Sequence, residues 1–276
     1  MLVDYHCHLA PDDEQLGLAF MTDEWIGVYA AAARGRGVGE LALTEHCHRF
    51  RQAAGISQHE FWSETAHADL DAYVGALAAA RDAGQPIRVG IELDWLGDDA
   101  VHDLRALIAD RDLDIVLGSV HWLAGAMIDH PEYPVWDAYS VEDVWRLYFE
   151  ELRRAAMSGL YDVMAHPDLP KVFGDRPLGG VPQREYEETA DAFAAAGVAC
   201  EISSAGLRKP VRELYPAPAF LQACFDRGVP ITLAADGHRP QDVGLDLEHA
   251  ARLATEVGYR TVTAFRGREP RQEPLG

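Results

Sequence analysis

Seven short apolar runs, each ending in a histidine, aspartate or glutamate and each followed by a stretch of helical period, constrain this chain's fold more than any other feature. The runs cover residues 2–5, 40–44, 88–93, 114–119, 162–165, 198–202 and 230–234, with a weaker eighth at 261–265. Runs of this length read as strands, and the segments between them repeat apolar residues at helical spacing. The clearest begins at Ser140, which with Asp143 gives a capping-box pattern, and continues with Val144, Leu147, Tyr148, Leu152 and Ala155 on one face. Another helix is expected over about 184–196, stopped by Gly197. Strand–helix alternation implies an α/β fold with a parallel sheet. Seven or eight such units, with no Pro-, Gly- or Ser-rich linker, favour a closed barrel over an open sheet.

Composition supports one large unit. Of 276 residues 48% are hydrophobic, enough for a full-sized core. Residues 1–265 are expected to form the barrel. Residues 266–276, charged and Pro-containing, are expected to be a flexible tail. The net charge of −21 argues against duplex nucleic acid or an anionic membrane as partner, because both need a positive surface. It is compatible with metal ions at the centre and a small anionic substrate. Cys7, Cys47, Cys200 and Cys224 include no CxxC pair and read as reduced thiols. The first residues show no charged-then-apolar leader pattern, and no apolar run approaches the ~18 residues that span a bilayer. The expectation is a soluble, cytoplasmic protein; its oligomeric state is left open.

The strand ends carry the chemistry. The first reads Asp4-Tyr5-His6-Cys7-His8, and strand alternation puts His6 and His8 on one face and Cys7 on the other. The second reads Thr44-Glu45-His46, followed by Cys47 and His48; the third, Glu92-Leu93-Asp94; the fourth, Ser119-Val120-His121. The fifth reads His166-Pro167-Asp168, the sixth Glu201-Ile202-Ser203 and the seventh Asp236-Gly237-His238. Taken singly each has a bland reading: HxH arises often by chance, a lone histidine is usually surface or core, and carboxylates cap helices. Seven in succession at one topological position are poorly explained that way, because a barrel brings these ends to one mouth. Imidazole and carboxylate donors without a thiolate pair suit Zn, Mn or Fe. Eight or nine candidate ligands exceed the needs of one ion, so two or three divalent ions are expected. Such clusters activate water and hold phosphoryl oxygens through in-line displacement.

In order along the chain, Asp4-x-His6-x-His8, Glu45-His46, Gly90-Ile91-Glu92, Gly118-Ser119-Val120-His121, Ala165-His166-Pro167 and Asp236-x-His238 resemble the motifs of the PHP (polymerase and histidinol phosphatase) family. The resemblance covers roughly residues 1–265 and implies a distorted (β/α)7 barrel with a trinuclear metal centre. It implies one ion held by His6, His8, Glu92 and Asp236, with Glu92 bridging to a second held also by His121 and His166. A third would lie near His46 and His238. Its last ligand would come from loop 9–14, which here offers Asp12 and Asp13 but no histidine.

The stretch from Glu201 through Ser203-Ser204-Ala205-Gly206-Leu207-Arg208-Lys209-Pro210 to Glu213-Leu214-Tyr215-Pro216 is similar to a signature of the histidinol-phosphatase branch, which usually reads Asn-Thr-Ser where this chain has Ser203-Ser204-Ala205. Residues 171–177 resemble that branch too. The resemblance implies hydrolysis of L-histidinol phosphate to L-histidinol and phosphate, a step of histidine biosynthesis. Arg208 is expected on the phosphate, where its planar fork fits, with Lys209 and Arg176 as further candidates. The bland reading of Arg208 and Lys209 is a solvated basic pair. Glu201, Asp94, Trp95 and Trp122 are candidates for the substrate's ammonium and imidazole. His238, or an acid from the Asp12–Asp13 loop, is the candidate for handling the leaving group's proton.

Three rivals stand beside this reading. One is a phosphoesterase of the same family acting on nucleotides or other small esters. Another is an amidohydrolase-type enzyme, which would want a lysine at a strand end; the chain's two lysines, Lys171 and Lys209, lie at none. The third is a non-catalytic metal-binding module. His48, His59, His67, His102, His130 and His249 are read mostly as surface residues, with His130 in a loop over the mouth.

Overall fold

The computed structural model describes residues 1–11, 13–181 and 183–276. Seven parallel strands lie in the order β1 (Leu2–Asp4), β2 (Val38–Leu43), β3 (Ile87–Asp94), β4 (Ile115–Ser119), β7 (Val163–Met164), β8 (Ala199–Ser203) and β9 (Ile231–Ala234). All seven fall within two residues of the expected runs. A two-stranded hairpin, β5 (Trp122–Leu123) and β6 (Ala126–Met127), is inserted after β4.

The sheet nearly closes. Tyr5 N–H donates to the Leu233 carbonyl at 3.0 Å and His8 N–H to that of Gly237 at 2.8 Å, joining the first strand to the last. Asp4 pins the same seam: its carboxylate accepts from Ala235 N–H at 2.8 Å and Gly244 N–H at 2.6 Å. The result is a distorted seven-stranded α/β barrel.

Helices α1 (Asp23–Gly35), α2 (Glu60–Thr65), α3 (Leu70–Asp82), α4 (Val101–Ile108), α5 (Val141–Met157), α6 (Gln183–Ala196), α7 (Pro218–Asp226) and α8 (Leu247–Val257) fill the connections. In α5 the Ser140 hydroxyl accepts from Asp143 N–H at 3.2 Å, and Val144, Tyr148, Leu152 and Ala155 are buried as expected. Trp145 and Phe149 widen that face, while Leu147 sits at its half-buried edge. Helix α6 ends at Gly197, whose φ of +73° suits glycine. At Gly118, near the end of β4, a Cβ would lie 2.4 Å from the Tyr161 ring; glycine lets the ring pack under the strand just before the site begins.

The end of the chain departs from expectation. Residues 266–276 are not a loose tail: β11 (Glu269–Pro274) pairs antiparallel with β10 (Thr261–Arg266) through six residue pairs. The charges that suggested fraying are spent on ion pairs. Arg268 grips Asp162 at 3.0 Å and donates to the Leu160 carbonyl at 2.7 Å, Arg271 pairs with Glu40, and Gly267 N–H donates to Asp114 at 2.9 Å. Asp114 and Asp162 immediately precede β4 and β7, so the hairpin covers the N-terminal end of the barrel, away from the strand ends that carry the histidines.

Candidate metal centre

At the opposite end, β1, β2, β3, β4, β7 and β9 deliver imidazoles and carboxylates to one point. Glu92, on β3, is the hub. Its Oε2 lies 2.6 Å from His46 Nδ1, 3.4 Å from His6 Nε2 and 3.8 Å from His8 Nε2; its Oε1 lies 3.2 Å from His166 Nε2 and 3.7 Å from His121 Nε2. The His121 and His166 Nε2 atoms are 3.3 Å apart. Asp236 Oδ1 lies 3.5 Å from His8 Nε2, 3.8 Å from His6 Nε2 and 3.3 Å from His238 Nε2. Among the described residues three overlapping groups could each hold an ion: His6–His8–Glu92, His46–Glu92–His121 and His8–His46–His238. Every ligand expected from the described residues except Asp13 is brought together here.

The donors fit divalent ions by a physical test. His6 Nε2, His8 Nε2, His46 Nδ1 and Glu92 Oε2 are buried and, although the three nitrogens lie 2.6–3.8 Å from that one oxygen, none of the four makes an aligned hydrogen bond among the described residues. Crowding so many buried lone pairs together without aligned hydrogen bonds is costly unless something binds them. The far sides of three rings are held by carboxylates: His6 Nδ1 by Glu201 at 3.0 Å, His8 Nδ1 by Glu45 at 3.3 Å and His121 Nδ1 by Asp94 at 2.7 Å. Each carboxylate takes the N–H of its ring and turns the opposite lone pair inward, the arrangement usual around metal-bound histidine. Burial pushes the Glu92 carboxyl upward, but His46, His6, His121 and the hydrogen bond from His166 outweigh it, holding Glu92 well below the usual carboxylate range. Asp236 is likewise held low against its burial, by His6, His238 and His8. Both are anionic and ready to coordinate. His166 and Asp236 have φ of +27° and +50°, a left-handed backbone uncommon for such residues and found here where ligands are turned off strand ends.

Several residues stand elsewhere than expected. Glu201 is 0% exposed and faces the metal ligands, with one oxygen on His6 and the other accepting His166 N–H at 2.9 Å, so it has no free face for substrate. Asp94 lines the cleft but is committed to His121 and to the Cys47 thiol. Trp95 is buried with its indole donating to Glu151 at 2.6 Å, and Trp122 packs on His59 and Phe61 beside a separate outer groove. Neither lines the metal cleft.

Arg208 is not among the cleft-lining residues; its Nη2 donates to the Ala235 and Asp236 carbonyls, and its Nη1 is buried with no hydrogen-bond partner among the described residues. Lys209 is exposed on the cleft rim. Arg176 is exposed and tied to Glu213 at 2.7 Å, which stitches two loops together outside the cleft. Asp13 lines the cleft, 76% exposed and 3.5 Å from Arg239, and belongs to none of the three donor groups. Asp12 lies outside the described residues.

The cleft above these ligands measures about 510 Å³. One wall is aromatic and comes from α2 and the segment after the β5–β6 hairpin. Phe61, His130 and Tyr133 contact one another there, so His130 does stand over the mouth. Asp129 lines the same side, its Oδ1 buried with no hydrogen-bond partner among the described residues. His48 is a buried cleft residue and not a surface one: it stacks on His46 at 5.0 Å and its Nδ1 meets Thr65 at 3.1 Å. Arg49 was not singled out from the sequence, yet it is buried, pairs with Glu45 at 3.5 Å and donates to the carbonyls of Ala10 and Pro11. Its spacing of four from Glu45 was the available signal. Lys171, the lysine nearest a strand end, is buried on Asp168 at 3.1 Å, so neither lysine supplies the bridging ligand an amidohydrolase would need.

A parallel barrel with a histidine–carboxylate cluster at its C-terminal mouth is the architecture of a metal-dependent hydrolase. The PHP domain model matches residues 22–205, and the chain belongs to the PHP domain family. It is 34% identical over 248 residues to a probable histidinol-phosphatase of Deinococcus radiodurans, covering 87% of this chain and 90% of that one. A probable histidinol-phosphatase of Schizosaccharomyces pombe is 25% identical over 248 residues, covering 82% of this chain and 79% of the relative. Among solved structures, the histidinol phosphate phosphatase of Lactococcus lactis, complexed with zinc, L-histidinol and phosphate, shares the fold with a TM-score of 0.76 at 20% identity over 98% of each chain.

Proposed function

We propose that this protein is a metal-dependent phosphomonoesterase that converts L-histidinol phosphate to L-histidinol and inorganic phosphate, within histidine biosynthesis. The observation that carries the reading is the convergence of three donor groups, two of them sharing Glu92, beneath a cleft large enough for a small ester. The names of the relatives select the substrate.

Two to three ions, of Zn, Mn or Fe, would be held by His6, His8, Glu92 and Asp236; by Glu92, His121 and His166; and by His46 and His238 with a carboxylate from Asp12 or Asp13. Bound there, divalent ions supply Lewis acidity to the phosphoryl oxygens and to the attacking water. The protein supplies the rest. Glu201, Glu45 and Asp94 fix the rings. Arg208, whose Nη1 has no partner among the described residues, and Lys209 at the rim offset the phosphate's charge. His238, or an acid of the Asp12–Asp13 loop, delivers a proton to the departing alkoxide.

The amine of the substrate is taken by Asp129, and its imidazole fits the wall of Phe61 and His130, which Tyr133 backs. The acidic surface argues against nucleic acid. No described helix is long and apolar enough to cross a membrane. All four cysteines are free and buried, which fits a reducing compartment, the cytoplasm. The test is phosphate release from L-histidinol phosphate beside nucleotides and sugar phosphates, with metal content measured on the same preparation. Preference for L-histidinol phosphate is expected; preference for a nucleotide would move the chain to the rival branch.

A further inference from the structure

The side chain of Tyr215 is left unexplained by these roles. It is 1% exposed and lines the cleft, and its hydroxyl is buried with no hydrogen-bond partner among the described residues. A phenol in that position loses its water without gaining a partner, which native interiors avoid unless a ligand completes the bond.

The ring has no freedom to seek a partner elsewhere. Tyr215 N–H donates to the Ser203 carbonyl at 3.0 Å and its own carbonyl accepts from Ser203 N–H at 2.7 Å, fastening it beside the end of β8. The loop folds back so closely that a Cβ on Gly206 would sit 2.0 Å from the Glu213 carbonyl. The Lys171 ammonium lies 5.1 Å from the ring centroid. Lys171 is itself buried, held by Asp168 at 3.1 Å and by the Leu214 carbonyl at 2.7 Å, and Asp168 also accepts Ala217 N–H at 2.7 Å. This clasp joins the loops that follow β7 and β8 and fixes the phenol beside the cluster, its ring 6.3 Å from that of His166.

We propose that the Tyr215 hydroxyl donates a hydrogen bond to a phosphoryl oxygen of the bound ester, with the Lys171–Asp168 clasp as the device that positions it. The proposal rests on the phosphatase reading for its substrate. It adds a neutral donor to the charge supplied by Arg208. A hydroxyl is suited to this place: it favours the anionic oxygen without introducing a further cation beside the metal ligands.

Tyr215→Phe removes the hydroxyl and keeps the ring, its packing and its contact with Lys171. The variant is expected to keep the wild-type melting temperature and metal content. Its kcat/KM is expected to fall about 10- to 100-fold for both L-histidinol phosphate and p-nitrophenyl phosphate, the usual worth of a hydrogen bond to a charged group. Inorganic phosphate should bind more weakly by a comparable factor. Wild-type rates in the variant would overturn the proposal. So would a loss confined to L-histidinol phosphate, which would place the hydroxyl on the amine or imidazole end. If the wild-type protein hydrolyses neither ester, the phosphatase reading fails. Calorimetric binding of inorganic phosphate to the metal-loaded wild type and Y215F then still decides the role of Tyr215: equal affinities overturn it and weaker binding by the variant upholds it.

Discussion

Replacing Glu201 by glutamine separates two roles that the sequence left confounded. In the structure Glu201 serves two donors at once, His6 Nδ1 at 3.0 Å and the backbone N–H of His166 at 2.9 Å, one on each oxygen. A glutamine of the same shape has only one oxygen to offer. Its amide nitrogen must then face one of those donors, leaving a buried N–H unpaired at a cost of about 1–3 kcal/mol. The imidazole also loses a carboxylate that raises its basicity and fixes its angle. Losing such a partner typically weakens metal affinity about 10–100-fold, or about 1.4–2.7 kcal/mol.

Competition with a chromogenic chelator measures the affinity directly, and thermal unfolding of the metal-free protein measures the first cost. The expected outcome for E201Q is weaker metal binding, a lower melting temperature without metal, and activity that excess metal largely restores, with KM little changed. A residue that held the substrate's amine would behave in the opposite way, with metal affinity intact and KM raised. That second pattern would refute the assignment.

Further outcomes follow from other parts of the molecule. Chelation should lower the melting temperature by several degrees, because an ion present at about 1,000 times its dissociation constant stabilises the folded state by about 4 kcal/mol; an unchanged melting curve after verified metal removal would contradict the fit test. Deleting residues 267–276 should cost about 2–4 kcal/mol, since it leaves Asp162 and Glu40 without Arg268 and Arg271. Denaturant unfolding checks this, and unchanged stability would mean that the hairpin is dispensable. Burial raises the Asp162 carboxyl above its ordinary value despite Arg268. The folded state therefore holds that proton more tightly than the unfolded one, and this contribution to stability is full below the unfolded value and lost as pH rises through the folded one. Relative to Asp162→Asn, the wild type should be favoured more at pH 4 than at pH 7; an opposite trend in paired melting curves would show that the ion pair outweighs burial.

Much of the fold was legible because strand–helix alternation is written in residue spacing, and all seven barrel strands lie close to where the apolar runs put them. The candidate ligands were legible for the same reason: strand ends in a parallel barrel converge. What spacing does not convey is which strand-end carboxylate touches metal and which supports a ligand. Glu92 and Glu201 both lie within parallel barrel strands, yet Glu92 meets the inward nitrogens of the histidines while Glu201 holds the far side of the His6 ring, a difference that only the three-dimensional contacts reveal. Trp95 lies on the face opposite Asp94, as pleat alternation requires, and so is directed away from the cleft. The burial of His48 is not legible from spacing, because the chain leaves the strand at His46 and turns tightly over Cys47–Arg49, where alternation no longer applies. The C-terminal charges looked like a solvated tail because their partners, Asp162, Asp114 and Glu40, lie far away in sequence.

The central claim is metal-dependent hydrolysis of a small phosphate ester at the Glu92 cluster. Its most direct test is phosphate release from L-histidinol phosphate by protein of measured Zn, Mn and Fe content, before and after chelation, beside Glu92→Ala. Robust turnover that disappears with the metal, returns on its restoration and is absent from E92A is the predicted result. A folded, metal-loaded protein that releases no phosphate from any ester, or turnover that survives both chelation and E92A, would contradict it.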